Sequence, residues 1–266
     1  MNIRGALALY GALAHRYDLE TAIGIGPHGT VWRARENATG ATRAVKVVAA
    51  RYFTDPTVVR RFLAEAPALT EPVHPSWVHV RELVRAGEGL ALVTDLIPGF
   101  TLRQGVTRYG PLTSGQAVVL ALACADALAA AHLRGRVHHN IKLSNIIVTD
   151  TAPGVRITDA RVAWLIRGSS AEGTGAPTPS PATDVFQLGV VLYQVLSGRL
   201  FLEHTVTLPL PDPLPAGLAP LVHACLAPDP ADRPTASELA IRMPVRRNGA
   251  AVGRVTTRKA CAELAA

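Results

Sequence analysis

Four groups of residues in this 266-residue chain have types and spacings suited to handling phosphate. The first is Gly24-Ile25-Gly26-Pro27-His28-Gly29-Thr30-Val31, a G-x-G-x-x-G-x-V run. Glycines let a backbone approach phosphate oxygens closely and offer unobstructed N–H donors. The same spacing serves dinucleotide-binding folds, where a helix follows the glycines; here the strand-forming run Thr30-Val31-Trp32-Arg33-Ala34 follows. The second group is Lys46, in Ala44-Val45-Lys46, with Glu65 downstream in Arg61-Phe62-Leu63-Ala64-Glu65. The chain has only three lysines, Lys46, Lys142 and Lys259, and uses arginine for its other cations. A lysine kept in such a background marks a place where a compact ammonium serves and a guanidinium fork does not. The third group is His138-His139-Asn140-Ile141-Lys142-Leu143-Ser144-Asn145, and the fourth is Thr158-Asp159-Ala160-Arg161. Taken singly, each could be a polar turn or an exposed side chain; their order and spacing together favour a site.

These groups need elements to hold them. Residues 17–50 read as strands separated by turns, with Val31, Ala44, Val45, Val47 and Val48 as strand formers or small residues and Asn37 to Gly40 as a turn. Residues 57–70 carry apolar Val58, Phe62, Leu63 and Leu69 at helical spacing. Val78 to Val84 and Leu90 to Leu96 read as two more strands around a Gly87–Gly89 turn. After Pro98-Gly99 the texture changes. Thr113 to Leu133 predicts a long helix capped by Thr113 or Ser114, and Ile146 to Val148 and Val155 to Ile157 predict short strands. Residues 167–183, rich in Gly, Ser, Thr and Pro, predict a loop; Asp184 to Ser197 predicts a buried helix, and the remainder is helical with proline-rich links. The fold class is α+β, a β-rich portion followed by a mostly α portion, and a cleft between two such lobes is a natural ligand site.

In this frame the motifs resemble those of bacterial serine/threonine protein kinases of the eukaryotic-like type, over residues 17–242. Further matches are His74-Pro75-Ser76-Trp77-Val78, Asp184-Val185-Phe186-Gln187-Leu188-Gly189 and Asp229-Pro230-Ala231-Asp232-Arg233-Pro234. The resemblance implies a protein-kinase-like two-lobed fold, with an N-lobe over 17–97, a C-lobe over 98–242, an N-terminal extension over 1–16 and a basic tail over 243–266. It implies ATP and Mg²⁺ as cofactors. Gly24, Gly26 and Gly29 would cover the phosphates, and Lys46 would pair the α- and β-phosphates with Glu65. Val31, Ala44 and Ile147 would sandwich the base, Asp95 to Ile97 would meet adenine, and Thr94 would be the gatekeeper. Asn145 and Asp159 would hold the metal, with Lys142 beside the reacting groups.

The departures from the family pattern bear most on function. Asn140 stands where the family has the aspartate that accepts the hydroxyl proton. An amide has no comparable basicity, and general-base help is typically worth roughly 10²–10⁴-fold, about 3–5 kcal/mol of barrier. Ala160 and Arg161 replace the Phe and Gly of D-F-G, and His139 replaces the arginine that reads a phosphorylated activation loop. Ser180-Pro181-Ala182 is a remnant of A-P-E without its glutamate, which would leave Arg233 without a carboxylate partner. Pro27 removes an N–H from the glycine run, and Pro67 is expected to kink the helix after Glu65. The expectation is a pseudokinase acting as a regulatory or scaffolding module; the alternative is an active, atypical ATP-dependent kinase of weak activity.

Composition narrows the remaining classes. A hydrophobic fraction of 48% fills a core and argues against global disorder. The three cysteines, Cys124, Cys225 and Cys261, form no C-x-x-C pair, so neither a zinc site nor a disulfide framework is expected. The longest apolar stretch, Ala117 to Ala131, contains Asp126 and reads as too short for a membrane span, and the first residues read as a packed helix in preference to a signal peptide. Much of the net charge of +7 lies in Arg242, Arg246, Arg247, Arg254, Arg258 and Lys259, without interleaved aromatics, so no nucleic-acid partner is expected. The expected setting is the cytoplasm, with protein partners in signalling that no motif identifies.

Overall fold

A computed structural model describes residues 3–52, 56–87, 89–152, 154–167, 180–199, 210 and 214–243. The basic tail and most of the glycine- and proline-rich loop expected over 167–183 lie outside the described residues. The chain forms two compact units, with described residues 3–72, 78–97 and 162–167 in the smaller and 73–77, 98–161 and 180–243 in the larger.

The smaller unit begins with α1 (Ile3–Ala14), then β1 (Tyr17–Gly26), β2 (Gly29–Glu36), β3 (Thr42–Val48), α2 (Pro56–Thr70), β4 (Glu82–Ala86) and β5 (Gly89–Asp95). The strands form one antiparallel sheet in the order β1-β2-β3-β5-β4. Alternation on β3 sorts its faces: Val45 and Val47 are buried, while Ala44 and Lys46 are half-buried on the other side. The core joins Leu9 and Leu13, one helical turn apart on α1, to Val58, Phe62 and Leu69 of α2 and to the buried strand residues. α1 packs on β4 and β5.

Two features of this unit, the start of β4 and a further helix, depart from the sequence expectations. The strand expected from Val78 starts at Glu82, because the Val80 N–H goes to Leu69 O at the end of α2 (2.9 Å) and sheet pairing begins only when the Arg81 N–H meets Val93 O (2.7 Å). α2 spans the residues expected of it, through Pro67 to Thr70, and its last turn is secured by the Thr70 hydroxyl on Ala66 O (3.0 Å). A further helix, α5 (Val162–Arg167), follows the Asp159-Ala160-Arg161 run; Val162, Leu165 and Ile166 enter the same core, and the helix lies against α2.

The larger unit contains β6 (Phe100–Thr101), α3 (Leu102–Tyr109), α4 (Ser114–His132), β7 (Ile146–Val148), β8 (Val155–Ile157), α6 (Pro181–Ser197), α7 (Leu218–Cys225) and α8 (Ala236–Arg242). Thr113 and Gln116 cap α4 reciprocally, each side chain taking the other's N–H (3.3 and 2.9 Å). α4 extends beyond the stretch Ala117 to Ala131 that read as too short for a membrane span and is long and apolar enough to cross one, yet 56% of it is buried, and it packs on α6, α8 and β8 as a core helix. Its alanines allow those neighbours to approach. Gly189 does the same for α6 and α7: a Cβ there would lie 2.7 Å from Cys225 Cβ. Ser180, the supposed A-P-E remnant, is the N-cap of α6, with Pro181 in the first turn, so the helix starts three residues before Asp184.

Candidate functional site

The sequence-predicted residues fall into two sets, one in each unit. In the smaller unit, β1 and β2 are joined by a hairpin whose tip is Pro27-His28, closed by the Gly26–Gly29 pair. Strand register then aligns Gly24 with Val31, Val31 with Lys46, and Ala44 with Thr94. Residues directly opposite share a face, and so do residues two apart. Val31, Ala44, Lys46 and Thr94 therefore line the sheet face opposite Val45 and Val47. Glu65 is half-buried on α2.

The three glycines differ in why they are glycine. Gly29 has φ +143°, and a Cβ there would lie 2.1 Å from Val47 O, so the fold requires it. Gly24 would make only ordinary contact with Val31 (3.7 Å), and a Cβ on Gly26 would meet nothing within 4 Å. A glycine in a strand weakens it, so the strand packing does not explain Gly26. Open space over a backbone suited to phosphate is consistent with a ligand there.

Asp95 ends β5 under a double clamp. Arg81 engages its two oxygens at 2.5 and 2.9 Å, and Arg43 adds a contact at 2.5 Å while also holding Glu36. Burial would raise the Asp95 carboxyl, but the hydrogen bond and charge of Arg81, with Arg43, overcome it and hold the group below its ordinary value. The side chain is thus committed to arginines, leaving the backbone of Asp95 to Ile97 as the part suited to a ligand.

In the larger unit, the loop from His138 to Asn145 is built around Asp184, a residue the motif reading did not single out as functional. Its fully buried carboxylate accepts the backbone N–H groups of His138 (2.7 Å) and His139 (2.8 Å) and meets His132 Nε2 at 2.9 Å. A buried charge is tolerable only when paired and hydrogen-bonded in this way. Gln187, one turn along α6, accepts from Ile141 N (2.8 Å). Asn145 Nδ2 donates to Asn140 O (2.8 Å), closing the loop on itself. The sequence signal for both was the segment Asp184 to Gly189, which sets an acidic and an amide residue at the start of a mostly apolar helix.

Strand pairing sets Asn145 opposite Thr158, the residue before Asp159. Ile146 pairs with Ile157, so Asn145 and Thr158 face each other, and the Thr158 N–H bonds Asn145 O at 2.9 Å. Asp159 is the next residue, at φ +64°. His139 and Arg161 are also left-handed, at +65° and +61°, and Arg161 N donates to His138 O (2.7 Å). Such backbone is uncommon for residues with a Cβ and points to local constraint. An amide and a carboxylate oxygen suit a hard cation. No cluster of three or more His, Cys, Asp or Glu able to hold a metal occurs among the described residues, so a cation held by Asn145 and Asp159 would complete its shell with other oxygens, from water or a bound phosphate. Lys142 has extended backbone just before the 3-10 turn Leu143–Asn145, and Ile147 is half-buried on β7.

Burial pushes the His138 imidazole down to about 4, against the pull of Asp184, and burial likewise lowers His139 to about 4. His138 sits edge-on to Trp77 with ring centroids 4.9 Å apart. Arg233, for which the sequence offered no carboxylate, is held by carbonyls: Ala227 O at 2.8 Å, Pro228 O at 3.0 Å and Ala182 O at 3.1 Å, with its guanidinium over the Phe186 ring. Its partner is thus backbone beside the α6 N-terminus, together with a cation–π contact.

Comparison with known proteins agrees with this arrangement. The protein kinase domain family matches residues 17–243. Serine/threonine-protein kinase PkaA of Streptomyces coelicolor is 34% identical over 277 residues, an alignment covering 89% of this chain and 51% of PkaA. PknA of Mycobacterium tuberculosis is 32% identical over 253 residues, covering 83% of this chain and 58% of PknA. The chain therefore spans about half the length of the curated relatives it matches. Among solved structures, the Mycobacterium tuberculosis PknI kinase domain superposes with a TM-score of 0.70 at 22% identity, covering 85% of this chain and 94% of that one. Rad53 in complex with AMP-PNP gives 0.69, also at 22% identity, covering 86% of this chain and 65% of that one. The chain belongs to the protein kinase family, and within it to the bacterial eukaryotic-like serine/threonine kinases.

Proposed function

We propose that this domain is a nucleotide-responsive pseudokinase, a regulatory or scaffolding module of protein signalling that binds ATP with Mg²⁺ and transfers phosphate slowly or not at all. One observation carries the reading. The loop from His138 to Asn145 is fully constructed, held by Asp184, Gln187 and Asn145, yet the residue it presents at the base position is Asn140. An amide there can orient a hydroxyl by hydrogen bonding but has no basicity with which to take its proton. Gly26, which strand packing does not explain, supports retained phosphate contact, as does the Rad53 relative in its complex with AMP-PNP. When bound, the metal would neutralise charge on the phosphates; Asn145 and Asp159 would hold it, and Lys46 would hold the phosphates.

The second reading, a weak but active kinase, is favoured by the pairing that keeps Asn145 beside Thr158-Asp159. Phosphoryl transfer depends more on positioning than on deprotonation. Thermal-shift titration with ATP, with and without Mg²⁺, tests nucleotide binding. A magnesium-dependent rise that Lys46→Ala abolishes is expected; at 100 times Kd it corresponds to about 2.7 kcal/mol. No shift at millimolar ATP overturns the nucleotide part of the proposal. Transfer of labelled phosphate separates the two readings. Activity in Asn140→Asp that is roughly 10²–10⁴-fold above wild type supports the pseudokinase, whereas robust wild-type transfer that Asn140→Asp does not improve supports the active kinase.

A further inference from the structure

The tip of the glycine hairpin is fastened to the chain that follows β3. Arg51, in the 3-10 turn Ala50–Tyr52, donates from Nη2 to Pro27 O. The Tyr52 hydroxyl reaches the same oxygen at 3.4 Å, and the Ala49 N–H bonds His28 O at 3.0 Å. The His28 and Tyr52 rings lie with centroids 6.4 Å apart, and the Arg51 guanidinium stacks over Tyr52 at 5.2 Å. Both carbonyls of the two-residue tip are thus engaged by Ala49 and the short turn that follows it.

The chemistry of the tip makes that engagement consequential. Pro27 has no N–H, so within Pro27-His28 the only backbone donor is the His28 N–H. The peptide joining them is planar and trans, with its C=O and N–H pointing in opposite directions. Whatever fixes the Pro27 oxygen therefore fixes the direction of the His28 N–H. Released, this peptide can turn over and present an oxygen where it had presented a donor, which repels an anion. We propose that Arg51 is a positioning residue for the phosphate loop, a latch that holds the Pro27–His28 peptide in the orientation that receives the terminal phosphates of a nucleotide. The inference rests on the nucleotide-binding reading above and deepens it. It assigns phosphate discrimination to a residue outside every motif of the sequence.

The test compares wild type, Arg51→Ala and Arg51→Lys by calorimetric titration with Mg-ATP and, separately, with adenosine. Loss of the latch should weaken ATP roughly tenfold, leave adenosine within twofold, and be partly restored by lysine, which can reach the carbonyl as a point charge. Equal ATP affinity in Arg51→Ala and wild type overturns the proposal, and so does an equal loss for ATP and adenosine, which would mark a general structural effect. Hydrogen exchange of the unliganded proteins runs alongside. Faster exchange of the 24–30 amides in Arg51→Ala, with unchanged exchange across β4 and β5, shows the latch itself. If wild type binds neither ligand, the nucleotide reading fails on its own evidence; unchanged exchange at 24–30 removes the latch whatever the binding result.

Discussion

Asp184 organises the polar interior of the larger unit, holding two backbone N–H groups and His132. Replacing it with alanine leaves two buried N–H groups and His132 without their acceptor. Breaking a buried charge network of this kind costs about 3–5 kcal/mol. Urea denaturation of Asp184→Ala should register that loss, and Asp184→Asn a smaller one, because the amide oxygen can still accept. The buried histidines set a pH dependence whose sign is fixed. His138 holds its proton only below about 4, against 6.5 ordinarily, so between these values the unfolded chain binds the proton more readily. The stability from keeping His138 neutral is complete above pH 6.5 and is lost progressively as pH falls toward 4. At the acid end the loss is on the order of 3 kcal/mol for this fully buried group, and His139 adds to it in the same direction. Denaturation midpoints at pH 7.5 and pH 5 check this. His138→Phe should be less stable at the higher pH yet show the shallower slope, and an unchanged slope would assign the dependence elsewhere.

At the scale of elements, two glycines on neighbouring helices make opposite predictions. Gly189→Ala gains helix propensity but forces Cys225 and Leu226 away from contacts of 2.7 and 3.2 Å. Overpacking typically costs about 1–3 kcal/mol, more than the roughly 1 kcal/mol that propensity returns, so Tm should fall. Gly115→Ala, in the first turn of α4 with nothing within 4 Å, should stabilise by about 0.4–1 kcal/mol through the unfolded chain. Where elements were legible in sequence, periodicity or caps announced them: Thr113 or Ser114 marked the start of α4, and the β-branched runs gave β7 and β8 to the residue. α5 escaped because six residues, Val-Ala-Trp-Leu-Ile-Arg, are too short to show a helical period and are equally good strand formers; their burial on α2 decides the matter. The start of β4 escaped because it depends on a bond from Val80 to the end of α2, which is tertiary. Likewise the sequence placed Asp184 in the matching segment Asp184 to Gly189 but did not show its role, since that role exists only once α6 is packed.

For the molecule as a whole, the same separation appears in the cores. Two distinct apolar clusters exist, one around Phe62, Leu90, Leu92 and Leu165 and one around Leu128, Ile146, Ile157 and Leu188. The motif residues divide along the same line, with Lys46 and the glycines in one unit and Asn140, Asn145 and Asp159 in the other. Proteins open in cooperative blocks that follow such packing. Phe62 is fully buried, and Phe62→Ala removes a ring from the smaller unit's core at a typical cost of about 3–5 kcal/mol. Hydrogen exchange should accelerate in β3, β5, α2 and α5 while α4 and α6 keep their protection. Leu188→Ala should reverse the pattern at about 2–5 kcal/mol. If either substitution instead raises exchange equally in both sets of elements, the two cores open as one block and a perturbation at the glycine hairpin is felt at Asp159 through stability alone. If the patterns separate, a ligand that protects elements of both units must make its own contacts in each, and exchange with and without Mg-ATP then reads nucleotide engagement one unit at a time.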